Sequence, residues 1–587
     1  MKYYKKISNT DLLFDLWPFL ERKRKRQLIF ISILMVSSGI LEVFTLYMVL
    51  PFLMVIIDPN KLNDYESTKY LLNLFSINTT EKIIIPVTFL FVLAIATSAL
   101  IRLLNLWFNS KFIAGLGSDI SSKVYKILLE KEYEFHINSN TSKLISILTE
   151  NITGTVTFLN SILLLGTAVF VTLGILSTIL IIDWILAFST IGTISIAYLL
   201  LAKITKKRLT ENGEKIVKLN KNVIKVLQEG FGAIREVIIN SSQEKYIEIH
   251  RNKVIPMRRA YAQISFLESF PRIAMEAIGI FIITFIAFVM TLSSRNTSAI
   301  LPILGTFALA AQRLLPAIQQ IYVSWAVTTS YRSFLEEILF ILKSEENKFK
   351  NKKLKKFKIR KIFKEKIQFK NISFSYKNGK SIINNFDFEI QKGERIGIVG
   401  KSGSGKSTFS DILMGLLTPN QGILAIDEID IHDPKNIKYL IAWRNSLANV
   451  PQNIYLADNT IAENIAFGIG KENVDYEKLK YVSEQASILE FINSTKEGFY
   501  TYVGERGVRL SGGQRQRIGI ARALYRDPKT IIFDEATSSL DYQTEKEIME
   551  TIENLSRDLT IIIIAHRVST TKNCDRIINI SNGKIIN

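Results

Sequence analysis

The sequence contains almost no cysteine and comparatively few acidic residues. Its 587 residues include one cysteine, Cys574, so no disulfide framework holds the chain together and nothing argues for an oxidising compartment. Lysine and arginine number 74 against 54 aspartates and glutamates, which gives a formal net charge of +20. Such an excess is typical of nucleic-acid-binding proteins and of membrane proteins with basic cytoplasmic loops. The placement of the charges distinguishes these two classes.

Charge is also missing from long stretches of the first 330 positions. Residues 153–182 contain no charged side chain. Because lipid offers no hydrogen-bond partners to the backbone, apolar runs of this length predict membrane-spanning helices. Six spans are predicted, at residues 27–57, 83–110, 155–182, 184–204, 262–292 and 299–325. The first span is too long for the core of a cleaved signal peptide, so we expect it to be retained.

The basic residues concentrate in two of the segments that flank these spans. Residues 1–26 hold eight lysines and arginines and residues 203–259 hold fourteen, whereas 58–82 and 293–298 hold three and one. Basic segments stay in the cytoplasm, so both termini are predicted to be cytoplasmic. This placement explains much of the net charge, and we expect no nucleic-acid partner. Richness in lysine, isoleucine and asparagine suggests a bacterial source and hence a bacterial cytoplasmic (inner) membrane.

The connections between the spans carry helical patterns of their own. Residues 111–150 and 205–260 are long and charged and lack turn punctuation, so we expect helices that continue into the cytoplasm and return. Apolar residues at helical spacing over 67–77 predict an amphipathic helix in the membrane interface, or alternatively a packed loop helix. Residues 11–26 predict an interfacial elbow helix that leads into the first span.

The last third of the chain carries a phosphate-binding motif. The run RIGIVG predicts a strand, and the following GKSGSGKS matches a P-loop. The backbone N–H groups of such a loop cradle phosphates, Lys406 reaches the β- and γ-phosphates, and the Ser407 hydroxyl coordinates Mg²⁺. The predicted architecture is an α-helical six-span membrane domain, a linker and an α/β P-loop nucleotide-binding domain, at residues 1–335, 336–365 and 366–587.

A second apolar run ends in two adjacent acidic residues. In TIIFDEATSSLD, Asp534 suits the coordination of Mg²⁺, and Glu535 suits the polarisation of an attacking water as a general base. An acidic pair after a strand is in isolation more often a helix cap. The P-loop upstream favours the catalytic interpretation.

The stretch LSGGQRQR, at residues 510–517, resembles the signature of the ATP-binding cassette (ABC) transporters. The order of six spans and then a cassette is similar to that of an exporter half-transporter. The resemblance implies that Tyr376 stacks on adenine, that Gln452 senses Mg²⁺ and the membrane domain, and that His566 contacts the γ-phosphate. It also implies that Asp541 belongs to a loop at a dimer interface, and Glu505, in TYVGERG, to an exporter-specific sequence.

These considerations give a set of predicted site residues. The catalytic residues are Glu535, His566 and Gln452. The Mg²⁺ ligands are Ser407, Gln452 and Asp534. The residues that bind ATP are Tyr376, Gly400, Ser402, Gly403, Gly405, Lys406, Ser407, Thr408, Ser511, Gly512, Gly513 and Gln514.

The resemblance further implies a dimer. In this family the P-loop of one cassette and the signature of its partner close over the same ATP, so each active site needs two chains. None of the hydrolytic positions of this chain is degenerate, which favours a homodimer over a heterodimer. Segments near 134–142 and 228–237 resemble the coupling helices that carry the motion of the cassettes to the spans.

Three arginines fall within predicted spans, where a charged side chain costs about 2.5–3.5 kcal/mol or more. Counting 1.5 Å per residue along each helix places Arg102 and Arg272 at a similar depth and Arg313 nearer the middle of the membrane. At least two of the three are predicted to face an anionic substrate. The alternative is local pairing, since Glu268 and Glu276 each lie four residues from Arg272. Arg102 could also simply mark the end of its span.

Short membrane stretches resemble the flippase of bacterial protein N-glycosylation, which moves a lipid-pyrophosphate-linked oligosaccharide. They are PRIAMEAIGI, RLLPAIQQI, IRLLN and the amphipathic segment between the first two spans. Guanidinium groups recognise pyrophosphate well, so the resemblance implies a polyprenyl-pyrophosphate-linked substrate. The export of another amphiphile, such as a lipopolysaccharide precursor, a peptide or a drug, and an ATP-gated regulator or channel remain as alternatives.

Overall fold

The structure, a computed structural model, describes most of the chain. The described residues are 8–49, 52–53, 56, 84–182, 184–292, 297–349, 362–376, 379, 381–536, 541–565 and 568–586. They form two compact units, of which the first comprises Met1–Lys131 and His136–Lys353 and the second Leu354–Asn587 with Glu132–Phe135. The predicted amphipathic helix at 67–77 lies outside the described residues.

The first unit is built from long helices, as predicted. The described helices before residue 350 are α1 (Asn9–Leu16), α2 (Arg22–Tyr47), α3 (Ile84–Leu129), α4 (Tyr133–Ile137), α5 (Thr141–Ser146), α6 (Ile152–Ile182), α7 (Trp184–Gly232), α8 (Ile234–Ile239), α9 (Gln243–Leu292) and α10 (Thr297–Phe349). Residues 133–135 of α4 belong to the second unit. A single π-helical turn, Ile147–Asn151, joins α5 to α6. The segments at 111–150 and 205–260 are largely helical, and short helices occupy the regions predicted to couple the two domains.

Three helical segments among the described residues are long and apolar enough to cross a membrane. They are Arg22–Tyr47, Ile84–Leu129 and Thr141–Ile181. The other three predicted spans, 184–204, 262–292 and 299–325, fall within α7, α9 and α10.

Two helix boundaries differ from the sequence-based expectation. Helix α2 ends at Tyr47, whereas the predicted first span continues to residue 57, and the described residues 49, 52, 53 and 56 beyond the helix are also helical. Helix α10 continues to Phe349, so residues 336–349, which were assigned to the linker, are helical. The boundary between the two compact units falls between Lys353 and Leu354.

Glycines allow close crossings between the long helices. A Cβ at Gly39 of α2 would lie 2.6 Å from the carbonyl oxygen of Phe170, and one at Gly174 of α6 would lie 2.5 Å from the carbonyl oxygen of Gly39. Small residues at such crossings let helix backbones approach closely, which is how helices pack where lipid removes the hydrophobic driving force.

The amino-terminal helix α1 has a defined start and a buried face. The Ser8 side chain accepts from the backbone of Thr10, and the Asp11 carboxylate accepts from the Ser8 N–H at 2.8 Å. Leu12 and Leu16 are buried, whereas Phe14 is exposed. The cap fixes the first turn of the helix, and the spacing of the leucines sets which face packs against α10.

The second unit contains two sheets, and its largest sheet carries the P-loop. The strands are β1 (Lys366–Ser375), β2 (Ser381–Gln391), β3 (Arg395–Val399), β4 (Gln421–Ile426), β5 (Ile429–Asp430), β6 (Leu447–Val450), β7 (Thr530–Asp534), β8 (Thr560–Ala565), β9 (Arg576–Ser581) and β10 (Lys584–Ile586). Their order is β2-β1-β4-β5 in an antiparallel sheet and β10-β9-β3-β8-β7-β6 in a mainly parallel one.

Helices complete this unit and cover its sheets. They are α11 (Lys406–Leu413), α12 (Ile437–Ser446), α13 (Ile461–Ile465), α14 (Tyr476–Gln485), α15 (Leu489–Ser494), α16 (Gly512–Tyr525) and α17 (Tyr542–Glu553). Strands β3 and β8 are buried along their whole length, as expected for central strands of a parallel sheet that is covered on both faces. The predicted α/β fold is confirmed.

Candidate functional site

The P-loop lies between the end of β3 and the start of α11. Gly403 and Gly405 have φ values of +78° and +107°, a region that side chains rarely adopt. A Cβ at Gly400 would lie 2.3 Å from the carbonyl oxygen of Ile580, so this position also excludes a side chain. Gly405 is the N-cap of α11, which places the loop at the positive end of that helix.

Lys406, the first residue of α11, is buried within the loop. Its Nζ donates to the carbonyl oxygens of Gly400, at 2.8 Å, and Lys401, at 3.2 Å. Burial lowers the pKa of Lys406, and the nearby carboxylates of Glu535 and Asp534 oppose that shift. The ammonium group is therefore held at the loop, close to the acidic pair that follows β7.

The strand order explains why distant motifs meet at one edge of the sheet. In the run β3-β8-β7-β6 the strands are parallel, so their carboxyl ends share an edge. The P-loop follows β3, Asp534 ends β7, and Gln452 lies two residues after β6. His566 follows β8 directly in the sequence and lies outside the described residues.

Glu535 occupies an uncommon backbone conformation. Its φ is +49°, and its N–H donates to the carbonyl oxygen of Ile564 in β8 at 2.8 Å. A left-handed conformation at a residue other than glycine costs energy and is concentrated at functional sites. The backbone of Glu535, which directly follows the proposed Mg²⁺ ligand Asp534, is therefore held in place by the neighbouring strand β8.

The loop fits a nucleotide phosphate with Mg²⁺. Ser404 Oγ is buried and has no hydrogen-bond partner among the described residues, and a Cβ at Gly403 would meet no atom within 4 Å. Within the described parts of the chain, no group of three or more His, Cys, Asp or Glu side chains could hold a metal alone. Mg²⁺ bound through substrate phosphates needs only one or two carboxylates. Asp534 suits that role, and the hydroxyl of Ser407 would supply a further oxygen ligand.

Tyr376 lies immediately after β1, at the border of the described segment. Its ring meets that of Phe374 edge to face, with 5.0 Å between the ring centroids. The carbonyl oxygen of Tyr376 accepts from the N–H of Gly379 at 2.9 Å. Stacking of this ring on adenine remains a prediction.

The signature residues form the beginning of α16. Ser511 Oγ accepts from the N–H of Gln514 at 3.2 Å, and Gln514 Oε1 accepts from the N–H of Ser511 at 2.9 Å. This reciprocal capping box organises the positive end of the helix. A Cβ at Gly513 would lie 2.7 Å from Thr544 Cγ2, so α17 approaches too closely for a side chain there.

The signature and the P-loop occupy different parts of the same cassette. Helix α16 packs against β6, α13, α14 and α17, whereas the P-loop follows β3, which is separated from β6 by the two strands β8 and β7. Among the described residues, the hydrogen bonds of 511–514 and those of 400–408 do not link the two segments. Within one chain the two halves of the predicted ATP site are therefore separate.

Three other predicted residues lie between or beside these elements. Gln452 accepts through its carbonyl oxygen from Gln516 Nε2 at 3.1 Å, which connects the segment after β6 to α16. Asp541 caps α17 and accepts from the N–H and hydroxyl of Thr544, and these hydrogen bonds lower the pKa of Asp541. Glu505 begins a short 3-10 turn, Glu505–Gly507, before the signature.

Asp411, which sequence reasoning missed, lies one helical turn after Ser407 in α11. Burial, with a smaller contribution from Asp534, raises its pKa from 3.8 to about 6. A raised carboxyl pKa makes the folded state bind a proton more tightly than the unfolded chain. The resulting stabilisation is complete below pH ~4 and is lost as the pH rises through about 6.

We therefore expect Asp411→Asn to stabilise the cassette at pH 8 but not at pH 4.5. The thermal midpoint of the cassette, measured without nucleotide or Mg²⁺, should rise by about a degree or two at the higher pH only. Asp558→Asn, at an exposed position, is the matched control and should leave both midpoints unchanged. Equal gains for Asp411→Asn at both pH values would contradict the assignment.

In the first unit, Arg102 and Arg313 converge on a glutamate that the sequence reasoning did not consider. Arg313 Nη1 lies 2.6 Å from Glu42 Oε1, and Arg102 Nη2 lies 3.0 Å from Glu42 Oε2. These atoms come from α10, α3 and α2. Glu42 is the single charged residue of the predicted span 27–57, and that was the signal available in the sequence.

Arg272 is placed differently from the other two arginines. Its Nε donates to Glu276 Oε1 at 2.8 Å, one turn along α9, and both side chains are exposed in the single chain. This is the local pairing that the sequence offers as the alternative to an anionic substrate for Arg272. Helix counting predicted that Arg102 and Arg272 lie at a similar depth, whereas the shared carboxylate brings Arg102 together with Arg313.

Comparison with known proteins identifies both parts of the chain. The family profile of the ABC transporter transmembrane region matches residues 26–312, and that of the ABC transporter matches residues 383–538. The fold is similar to that of a bacterial Atm1-family ABC exporter with ATP bound, with a TM-score of 0.75 and 23% identity over 96% of this chain and 94% of the other.

Curated relatives match a shorter region. The leukotoxin translocation ATP-binding proteins LktB of Pasteurella haemolytica-like sp. (strain 5943B) and of Mannheimia glucosida are each 46% identical over 224 residues. The aligned region is 38% of this chain and spans 30% of the length of each relative.

The fold and the site define a helical membrane protein that is fused to a P-loop nucleotide-binding domain. More particularly, the chain has the organisation of an ABC exporter, in which a membrane domain precedes an ATP-binding cassette. An ATP-binding domain of this family implies the hydrolysis of ATP coupled to transport. The predicted order of an exporter membrane domain and an ATP-binding cassette is thereby confirmed, as is the fold class apart from the number of spans.

Proposed function

We propose that the protein is an ATP-driven exporter that acts as a homodimer in the cytoplasmic membrane, with both termini in the cytoplasm. The separation of the P-loop from the signature within one cassette supports this proposal. Two copies in head-to-tail arrangement would bring the signature of each chain to the P-loop of the other. Because Lys406, Asp534, Glu535 and Ser511 are all present, both sites of such a dimer would be competent.

The residues of each site have separable tasks. The loop N–H groups and Lys406 would hold the phosphates, Tyr376 the adenine, and Ser407, Asp534 and Gln452 the Mg²⁺, which neutralises developing charge. Glu535 would accept a proton from the attacking water, and His566 would contact the γ-phosphate. Binding of ATP closes the two cassettes, and hydrolysis with release of products separates them again.

For the cargo, we propose an anionic lipid, most specifically a polyprenyl-pyrophosphate-linked oligosaccharide. The observation that supports it is the convergence of Arg102 and Arg313 inside the membrane domain, where one carboxylate, that of Glu42, pairs with both among the described residues. Charged residues within membrane spans are costly and often mark a substrate pathway. Guanidinium groups hold pyrophosphate oxygens with charge-assisted hydrogen bonds.

Reconstitution in liposomes tests this proposal. The movement of a lipid-pyrophosphate-linked oligosaccharide between leaflets would be measured with and without ATP, with Glu535→Gln as the inactive control. Movement that needs both ATP and Glu535 supports the flippase function. Hydrolysis of ATP without any movement would remove this substrate and leave the exporter.

Substitution of the arginines distinguishes binding of the transported lipid from ATP hydrolysis by the cassettes. We expect Arg313→Gln to lower the amount of lipid moved per ATP hydrolysed by about tenfold or more, since it removes a charge-assisted contact with the substrate. Arg272→Gln removes an arginine whose described partner is Glu276, and a much smaller effect is expected. Unimpaired transport by Arg313→Gln would reject the pyrophosphate site.

Export of a protein is a second candidate. It is favoured by the 46% identity to leukotoxin translocation ATP-binding proteins over 38% of this chain. ATP hydrolysis that is stimulated by an unfolded polypeptide and is indifferent to anionic lipids would favour this function over the first.

A further inference from the structure

Among the described residues of the first unit, Glu42 is the most buried charged residue. It is 1% exposed, whereas the side chains of Arg102 and Arg313 are 43% and 30% exposed. Oε1 accepts a hydrogen bond from Arg313, Oε2 forms an ion pair with Arg102, and Ser98 Oγ donates to Oε2 at 3.4 Å. Three helices, α2, α3 and α10, therefore meet at one carboxylate.

The charges of this Glu42 cluster, defined as Glu42, Arg102 and Arg313, do not cancel. Two guanidinium groups and one carboxylate leave a net charge of +1. In the membrane domain an uncompensated charge is expensive, and burial of an ion pair is favourable only if its charge is matched and its donors are satisfied. A cluster that served only to hold the helices together would be expected to balance.

The hydrogen-bond donors of the arginines are also incompletely used. A guanidinium group has five N–H donors. Among the described residues, Arg313 donates through Nη1 alone, to Glu42 and to Thr45 Oγ1 at 3.1 Å. Arg102 donates through Nη2 to Ser98 Oγ at 3.3 Å, and the same Nη2 forms the ion pair with Glu42. Within the described part of the chain, Nε and the other Nη of each arginine have no partner.

We propose that Glu42 is the resting occupant of an anion site made by Arg102 and Arg313, and that the phosphate group of an amphiphile displaces it. This inference rests on the proposed export of an anionic lipid and names Glu42 as the residue that sets the affinity of that site. While the site is empty, the Glu42 carboxylate neutralises one of the two positive charges. It also prevents the site from holding an anion so tightly that the anion is not released.

The competition makes an unusual prediction about combined substitutions. Arg313→Gln leaves a neutral Glu42–Arg102 pair, so an anionic ligand should bind about tenfold or more weakly. Adding Glu42→Gln to that variant frees Arg102 and restores the net charge of +1, so binding should recover. A purely structural Glu42 predicts the opposite, because a second lost partner adds damage.

Binding would be measured on the full chain in phosphatidylcholine nanodiscs, with excess Mg-ADP to fill the P-loop. The probe is radiolabelled tetradecyl phosphate, and tetradecylphosphocholine is the zwitterionic control. We expect Glu42→Gln alone to tighten binding of the phosphate by about tenfold, with little change for the control ligand. Arg272→Gln, which lies outside the cluster, should bind like the unmodified protein.

Failure of the double variant to recover binding overturns the proposal. If that variant does not assemble, Glu42→Asp tests the same competition with every charge retained. Its carboxylate is one methylene shorter and holds the arginines less well, so binding of the phosphate should tighten several-fold, and unchanged or weaker binding overturns the proposal. If the double variant recovers binding but the unmodified protein moves no lipid in liposomes, only the proposed function is rejected. If the unmodified protein moves lipid but the double variant does not recover binding, only the role of Glu42 is rejected.

Discussion

Glu535→Gln should lower the rate of ATP hydrolysis by about 10²–10⁴-fold, the usual contribution of a positioned general base. The amide keeps the size of the side chain but cannot accept a proton from water. The backbone of Glu535 is fixed by its hydrogen bond to Ile564 in β8, so the substitution should leave the P-loop in place. ATP binding is therefore expected to persist while turnover stops, and the rate of phosphate release by purified protein measures this directly.

A matched substitution controls for the loss of a carboxylate from the cassette. Glu550 lies on α17 and forms an exposed pair with Lys546 at 3.9 Å, a contact worth little. Glu550→Gln should hydrolyse ATP at nearly the normal rate. If Glu535→Gln retained a rate within tenfold of that control, another group would have to act as the base.

The behaviour of ATP-trapped protein extends the same prediction. Because Glu535→Gln binds ATP without hydrolysing it, the closed cassette pair should accumulate, and two protomers should remain cross-linkable through their cassettes. Removal of Lys406, which donates to the loop in the described structure, should instead prevent ATP from binding at all.

The nucleotide site could be predicted from sequence because its parts are local. The phosphate-binding loop spans eight consecutive residues, and its glycines are required by positive φ values and close backbone approaches at those same positions. Asp534 and Glu535 lie at the end of the buried strand β7, and the apolar run that precedes them in the sequence predicts this position. What the motif could not give was Asp411, whose raised pKa depends on burial in the fold.

The arginines show where sequence reasoning fails. Pairs along one helix are visible as a spacing of four, and the pair Arg272–Glu276 was foreseen in this way. Glu42 lies 271 positions from Arg313, so their contact depends on how three helices pack. Helical rise gives the depth of a residue along its own helix and cannot show which helices touch. The single acidic residue within the first predicted span was the feature of the sequence that pointed to Glu42.

The packing of those helices can be tested at Gly213 in α7. A Cβ there would lie 1.8 Å from the carbonyl oxygen of Ser330 in α10. Backbone atoms cannot rotate away as a flexible side chain does, so Gly213→Ala must push α7 and α10 apart. Overpacking of this kind costs about 1–3 kcal/mol, more than the 0.5–1 kcal/mol that alanine usually gains over glycine within a helix.

Gly230, on the same helix, provides the matched control. A Cβ at Gly230 would meet Tyr246 Cδ1 at 3.5 Å, an ordinary contact, so Gly230→Ala should be neutral or stabilising. The thermal midpoint of the whole chain in detergent should fall by several degrees for Gly213→Ala and should not fall for Gly230→Ala. Equal midpoints would mean that α7 and α10 do not cross at Gly213. Since α10 also carries Arg313, a real separation of the two helices should reduce transport together with stability.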